Sequence, residues 1–420
     1  MRSNAKFYFF IILIFTISFV HSETFELGGM YTQHYRDGRY AEWGKYSRLG
    51  AQIAIEEINE SNMLDGDKIS MPPENIIDYH CWTENTNLMA STLMKKKIIA
   101  LTGAECSDPA VIMAELGAVN KIPVISYGAN AALLSSPEEF PWFVRVVAPS
   151  ESYEKYLIDL AAHFNVKEIA YFHTTDAWGE GAYNVIKEAV FKHNINISRV
   201  YSFPRDEKQS VLDSYIKEIK EENIKHIVIT TPTPDTVNIF RSINKLGLNK
   251  VGYSFYASEM ILNNESIEVT SGAFGYFAPI AKLSDSLHLR RYSKSFEKSA
   301  NEKVDLNSSN FIYSALSYDH IFVIAHAIKL TKLNKLKVNR ENTLKFLRKV
   351  DFDGATGRIS FESSSNDRLN MPMQIMNNQG IKDNGEVVFV SIAEIDQSTG
   401  NLDVQESKIL WPGNTKQSPK

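Results

Sequence analysis

A chain of 420 residues with 44% apolar and 23% charged side chains has the composition of ordinary globular protein and is long enough for two or three cores. Its formal net charge of −5 lacks the basic footprint of a nucleic-acid binder, so no nucleic-acid partner is expected. No low-complexity bias or solenoid-period repeat is evident.

Arg2 and Lys6 precede an apolar run over 7–20, and Val20 and Ser22 put small residues at the two positions a signal peptidase inspects. Residues 1–22 therefore read as a secretory signal that is removed. The run is shorter than the ~20 apolar residues of a bilayer span, and no second run of that length follows. The mature chain is expected to be soluble and secreted or extracellular.

A strand over 25–30 leads to a helix over 43–59, in which Ala51, Ala54, Ile55 and Ile58 share one face while Glu56, Glu57 and Asn59 fall elsewhere. A strand at 76–80 and a helix at 87–97 come next. Residues 101–136, LTGAECSDPAVIMAELGAVNKIPVISYGANAALLSS, then read as strand, polar loop, helix, strand and second polar loop. Asp108 is placed there as helix N-cap and Pro109 as the first helical residue. Both loops leave the same edge of a parallel sheet, where the N–H groups of helix N-termini face a crevice. This stretch is expected to form one wall of a ligand cleft.

The extended segment FVRVVAPSES at 143–152 interrupts the rhythm. Alternation resumes with helices at 153–164, 180–193, 210–221 and 236–246 and strands at 168–173, 198–203, 226–230 and 253–257, which make a second sheet domain. Residues 272–279 read as another extended crossing. A helix at 285–300 precedes one at 311–330 that is apolar on nearly every side and so belongs between layers. Its Tyr318, Asp319, His320 and His326 argue against a membrane span. The basic stretch 329–337 reads as a solvated helix end and linker. A helix at 340–350, a glycine-broken strand with a polar loop, a further strand, and a hairpin of 386–395 with 402–406 complete the pattern. The tail over 414–420 is polar and expected to be disordered. The expected organisation is a first lobe of 23–147 with 279–335, a second of 148–278 with 336–408, and a tail of 409–420.

No HExxH, CxxC, GxSxG or P-loop spacing occurs. Gly179 and Gly181 imitate the start of a dinucleotide fingerprint, but Asn184 stands where its third glycine belongs. His320 and His326 are six apart, which does not set two ligands on one helical face. No nucleophile with a base, no metal site and no cofactor is expected, and the chain does not read as an enzyme. Cys81 and Cys106 follow the signal as an even pair, read as one disulfide in an oxidising compartment, with two buried thiols as the alternative. The sequons at Asn59, Asn196, Asn264 and Asn307 fit a secreted glycoprotein.

Two sheet domains with several crossings resemble the type I periplasmic-binding fold: α/β, two doubly wound parallel-sheet lobes joined by crossing segments. WGKYSRLGAQIAIEEIN at 43–59, IPVISYGANAALLS at 122–135, FVRVVAPSES at 143–152, DGATGRISFESSSNDR at 353–368 and ILWPG at 409–413 carry the resemblance. They are similar to the ligand-binding regions of natriuretic-peptide and guanylyl-cyclase receptors and, more distantly, to class C glutamate-type receptors and branched-chain amino-acid binding proteins. Cys81 and Cys106 fall where the natriuretic-peptide group places its first disulfide. In the cyclase receptors a WPG-like sequence precedes the membrane helix, so both a secreted relative and a receptor lacking its membrane part stay open. A homodimer is implied.

The resemblance also implies a ligand set. Ser107 matches the first-loop serine that holds a ligand carboxylate, and Gly128 and Asn130 occupy second-loop positions. From the other lobe, Trp178 offers a ring, while Glu151 and Glu259 match acidic positions that pair with an ammonium. The same residues also read without a ligand: Ser107 and Glu151 as helix caps, Trp178 as packing, Glu259 as a surface carboxylate. The ligand is then either a peptide or protein bound by a dimeric receptor sensor, or an amino-acid-like solute enclosed by a hinged pair of lobes.

Overall fold

The structure, a computed structural model, describes residues 22–259, 275–362, 364–381, 387–396 and 398–419. Residues 1–21 of the expected signal and the sequon at Asn264 lie outside them. Two sheets organise the chain. The first is built from β1 (Thr24–Tyr31), β2 (Lys68–Ser70), β3 (Ile76–Asp78), β4 (Ala100–Thr102), β5 (Val124–Ser126) and β6 (Phe143–Arg145). All its pairings are parallel, in the order β2-β1-β4-β5-β6, with β3 pairing on the later part of β1. Helices α1 (Glu42–Glu60), α2 (Thr86–Met94) and α3 (Ser107–Asn120) connect these strands. Strand β2 escapes the sequence reading because three residues are too few to show a period.

The second half supplies α4 (Glu154–His163), β7 (Glu168–Thr174), α5 (Ala177–His193), β8 (Asn196–Phe203), α6 (Gln209–Glu221), β9 (His226–Thr230), α7 (Thr233–Lys245), β10 (Ser254–Ala257) and β11 (Phe277–Ala281). Then follow α8 (Leu287–Ala300), α9 (Ser309–Leu333) and α10 (Arg340–Leu347), the hairpin β12 (Asp351–Gly354) and β13 (Gly357–Ser360), and β14 (Met373–Ile381), β15 (Val387–Asp396) and β16 (Asn401–Val404). The second sheet runs β16-β15-β14-β11-β10-β9-β7-β8. It is parallel from β11 to β8 and antiparallel from β11 out to β16. Its strands β7, β9, β10 and β11 are buried almost throughout, as expected of parallel strands covered on both faces.

One expectation needs correction. The extended crossing expected at 272–279 is partly β11, a member of the second sheet; the crossing itself follows at 282–286. Arg340 of α10, expected in the second lobe, donates to the carbonyls of Lys96 (2.9 Å) and Ile98 (2.8 Å) and so ties α10 to the first lobe.

Helix α9 is long and apolar enough to cross a membrane, but 89% of its apolar window is buried inside the fold. It packs on α1 at very short range: a Cβ on Gly50 would come within 2.1 Å of the Ser314 carbonyl oxygen, so only glycine permits this approach. Buried Asp319 on α9 accepts from the N–H groups of Ala355 and Thr356, both at 2.8 Å, and from the Thr356 hydroxyl. Arg368 donates to the Thr356 carbonyl and hydroxyl, each at 2.7 Å. The DGATGR turn is thus a clasp between α9 and the third crossing, the segment 361–372 that leads from β13 to β14, with its charges satisfied by hydrogen bonds.

Candidate ligand cleft

Parallel strands of both sheets end at one crevice, the place where open α/β sheets present loops and helix N-termini. The loops after β4 and β5 form the first wall. Residues after β7, β8, β9 and β10 form the second. Between them lies a cavity with about 630 Å³ of empty space, part of it open to solvent. Ser107, Gly128, Asn130, Trp178 and Glu259 all line it, together with Trp43, Cys81, Glu105, Cys106, Arg205, Pro232, Ser309 and Tyr313.

The first wall is rigid for local reasons. Cys106 is bonded to Cys81, with their Cα atoms 5.6 Å apart. Cys106, rather than Asp108, occupies the N-cap of α3, which begins at Ser107. The Ser107 hydroxyl accepts from the Ala131 N–H at 3.2 Å and joins the two loops. The Ser126 hydroxyl donates to the Ala104 carbonyl at 2.6 Å and accepts from the N–H groups of Gly128 and Ala129. A Cβ on Gly128 would sit 2.9 Å from the Cα of Glu105, so glycine there is a packing requirement between the loops. The Asn130 carbonyl accepts from both the N–H and the hydroxyl of Ser150, each at 2.8 Å. Arg145, fully buried, donates to the carbonyls of Ala129 and Ala131 and to the Ser135 hydroxyl, and pairs with Asp367 at 2.6 Å.

The second wall carries the less satisfied polar groups. Glu259 is 1% exposed; one carboxyl oxygen accepts from the Tyr313 hydroxyl at 2.9 Å, and the other is buried without a hydrogen-bond partner. Burial pushes this carboxyl up to about 7. The indole N–H of Trp178 is likewise buried without a partner. Glu151, expected as an ammonium partner, is exposed on the short turn Ser150–Ser152 and does not line the cavity. The buried acid of that segment is Glu154, three residues on. Both its carboxyl oxygens lack partners, and burial, together with nearby Glu259, holds it well above the usual carboxylate range.

The sequence reading missed Glu105, Arg205, Trp43 and Tyr313. Glu105 is buried, its oxygens accepting from the Thr32 N–H at 2.8 Å and from the Tyr127 hydroxyl, and burial raises its carboxyl. An acid inside the apolar run LTGAECS was a visible signal, since a buried charge needs a reason. The other three come from distant parts of the chain, and only folding brings them here.

Among the described residues, two further bonds cross the cleft besides the hydrogen bond from Tyr313 on α9, which packs on the first lobe, to Glu259 on the second wall. The Asp108 carboxylate accepts from the Ala177 N–H at 2.7 Å, at the first turn of α5. Arg205 pairs with Asp176 and donates to the Cys81 carbonyl at 3.0 Å. The lobes are therefore drawn together on the cavity.

Residues 47–381 match the family described as Receptor family ligand binding region. The chain is 23% identical over 358 residues to Glutamate receptor 3.1 of Oryza sativa, covering 77% of the chain and 38% of that protein. It is 21% identical over 415 residues to Glutamate receptor 3.7 of Arabidopsis thaliana, covering 90% and 44%. It is 23% identical over 257 residues to Metabotropic glutamate receptor 4 of Rattus norvegicus, covering 59% and 27%. The chain thus spans less than half the length of each of these relatives. They are glutamate receptors, so the precedence expected for the natriuretic-peptide group draws no support from them. With the family match running through both lobes and the cleft between them, the chain belongs to the Receptor family ligand binding region family.

Proposed function

We propose that the chain is the extracellular ligand-binding region of a receptor-type protein, non-catalytic, which encloses a small organic ligand between its lobes. The observation that carries this is the cavity itself: two lining side chains from the second wall, Glu259 and Trp178, hold buried polar atoms that nothing among the described residues satisfies. Leaving such atoms unpaired costs about 1–3 kcal/mol each, a cost a ligand's own donor and acceptor would offset. A cavity set between the two lobes and lined from both walls supports a small solute over a peptide held on the outer faces.

Binding would begin on the first wall, which the disulfide and the Arg145 clamp keep in place, and closure would bring Trp178 and Glu259 onto the ligand. The Asp108 and Arg205 bonds across the cleft hold the closed form. An extracellular setting draws support from the disulfide and the signal-like N-terminus. Of the sequons, exposed Asn196 suits a glycan better than Asn59, whose amide both donates to and accepts from the Ile69 backbone. Homodimer formation draws support from Leu88 and Val119, exposed on the adjoining helices α2 and α3.

The test is a thermal-shift screen of small organic solutes against the purified protein and its Trp178→Ala variant. A ligand at ~100 times its dissociation constant adds about 2.7 kcal/mol, a readable rise in midpoint. A hit that shifts wild type but not the variant is expected. Absence of any hit, or a hit equal in both proteins, would remove the cleft as the binding site.

A further inference from the structure

Both walls of the cleft carry a buried carboxyl group, and among the described residues that line it no unpaired cation balances them. Glu259 presents an unpartnered oxygen on the second wall. Glu105 lies on the first, its carboxylate held by the neutral donors Thr32 N–H and Tyr127 OH. Arg205 is the cation among the lining residues, and it is already paired with Asp176 and bonded to the Cys81 carbonyl. The place a ligand carboxylate would take is poorly disposed toward an anion. The Ser107 hydroxyl accepts from the Ala131 N–H and keeps its own proton to donate, but two acids flank it: Glu105 lies two residues before it, and Asp108 occupies the first turn of α3. Around these groups stand Trp43, Trp178 and Tyr313. Aromatic faces beside a carboxylate are a setting that favours an organic cation.

We propose that the cleft selects a cationic amine bearing a hydrogen-bond acceptor but no carboxylate, with its ammonium between Glu259 and the aromatic side chains and its acceptor on the Trp178 indole N–H. Glu105 acts as the discriminating group: it attracts the cation and repels the carboxylate of the corresponding amino acid. This rests on the reading of the cleft as the ligand site and specifies the class of ligand it takes.

The experiment uses matched probes on the full chain as purified: tyramine against tyrosine, agmatine against arginine and ethanolamine against serine, measured by thermal shift and calorimetry at pH 8. At least one amine should bind about tenfold or more tightly than its amino-acid partner. In Glu105→Gln that preference should shrink, because the repulsion of a carboxylate is removed while the amide still accepts from Thr32. Amino acids that bind as well as or better than the matched amines would overturn the proposal and leave the cleft reading standing. Equal preference in wild type and Glu105→Gln would overturn the role of Glu105. Absence of binding by all six probes would overturn the amine proposal, and the cleft reading falls with it only if the wider solute screen also finds nothing. The comparison of probes on wild type needs no variant to fold.

Discussion

Removing the disulfide tests how the first wall is held. Cys81 and Cys106 close a loop across a sequence separation of 25, and chain entropy alone assigns that closure about 3.5 kcal/mol at 25 °C. A domain of 150–250 residues loses roughly 2–4 °C for each kcal/mol, so the first lobe should melt about 7–14 °C lower in the double variant Cys81→Ser/Cys106→Ser. The effect should reach the cleft as well. His80 and Cys81 both adopt left-handed backbone conformations, φ 58° and 53°, and the Cys81 carbonyl accepts from Arg205 across the crevice. Without the bond to Cys106 that pair of residues is free to relax, and the carbonyl moves away from the guanidinium. Scanning calorimetry of wild type and variant, each with and without reductant, checks this. Reductant should lower the wild-type midpoint and leave the variant unchanged. A variant melting within ~2 °C of wild type, or one as sensitive to reductant as wild type, would refute the account of the disulfide as the clamp.

The buried acids predict a pH dependence with a definite sign. Glu259 is raised from 4.5 to about 7 in the folded chain, so the folded form keeps a proton that the unfolded form releases. Its stabilising contribution is complete below about pH 4.5 and is lost as pH rises through 7, an upper figure of ~3 kcal/mol. Urea unfolding at pH 5 and pH 8 should show a smaller decline in Glu259→Gln than in ligand-free wild type; equal declines would contradict the assignment. Arg145→Lys should cost ~3 kcal/mol or more, because an ammonium cannot serve Asp367, two carbonyls and Ser135 with one planar fork. A loss under 1 kcal/mol by denaturant titration would mean that the second loop holds itself.

Much of the fold was legible because strands and helices in an α/β chain announce themselves by apolar runs and turn residues. Strand β9 was read at its observed limits, His226–Thr230, and the ends of most other elements fall within a few residues. What escaped were features set by tertiary partners. Asp108 carries every local mark of an N-cap, yet its carboxylate is taken by Ala177 from the other lobe. Glu151 and Glu154 are both acids following the same extended segment; which one is buried depends on how α4 meets the second sheet, a matter no local pattern encodes. Ser107, Gly128, Asn130, Trp178 and Glu259 came from a resemblance to known receptors, and the structure brings them to one cavity without thereby fixing what fills it. Arg205 and Tyr313 could be found only after folding, since each is far in sequence from the residues it faces.

The loops of the first wall and the crossings between lobes are mechanically joined, and this bears on how binding could be felt elsewhere. The carbonyls on either side of Asn130, those of Ala129 and Ala131, are both held by Arg145, which also donates to Ser135 and pairs with Asp367 in the third crossing. The Asn130 carbonyl is held by Ser150 in the first crossing. A displacement of Asn130 by a ligand therefore pulls on two of the three crossings that set the angle between the lobes. The three bonds across the cleft, Tyr313 to Glu259 among them, are worth about 1–3 kcal/mol each, together comparable to the ~5.5 kcal/mol that carries a two-state equilibrium from 1:99 to 99:1. Closure held by so little is within reach of the free energy of one bound solute. A ligand that satisfies Glu259 and Trp178, the two groups left unpaired in the closed cavity, adds to the side of that balance which the chain by itself leaves short.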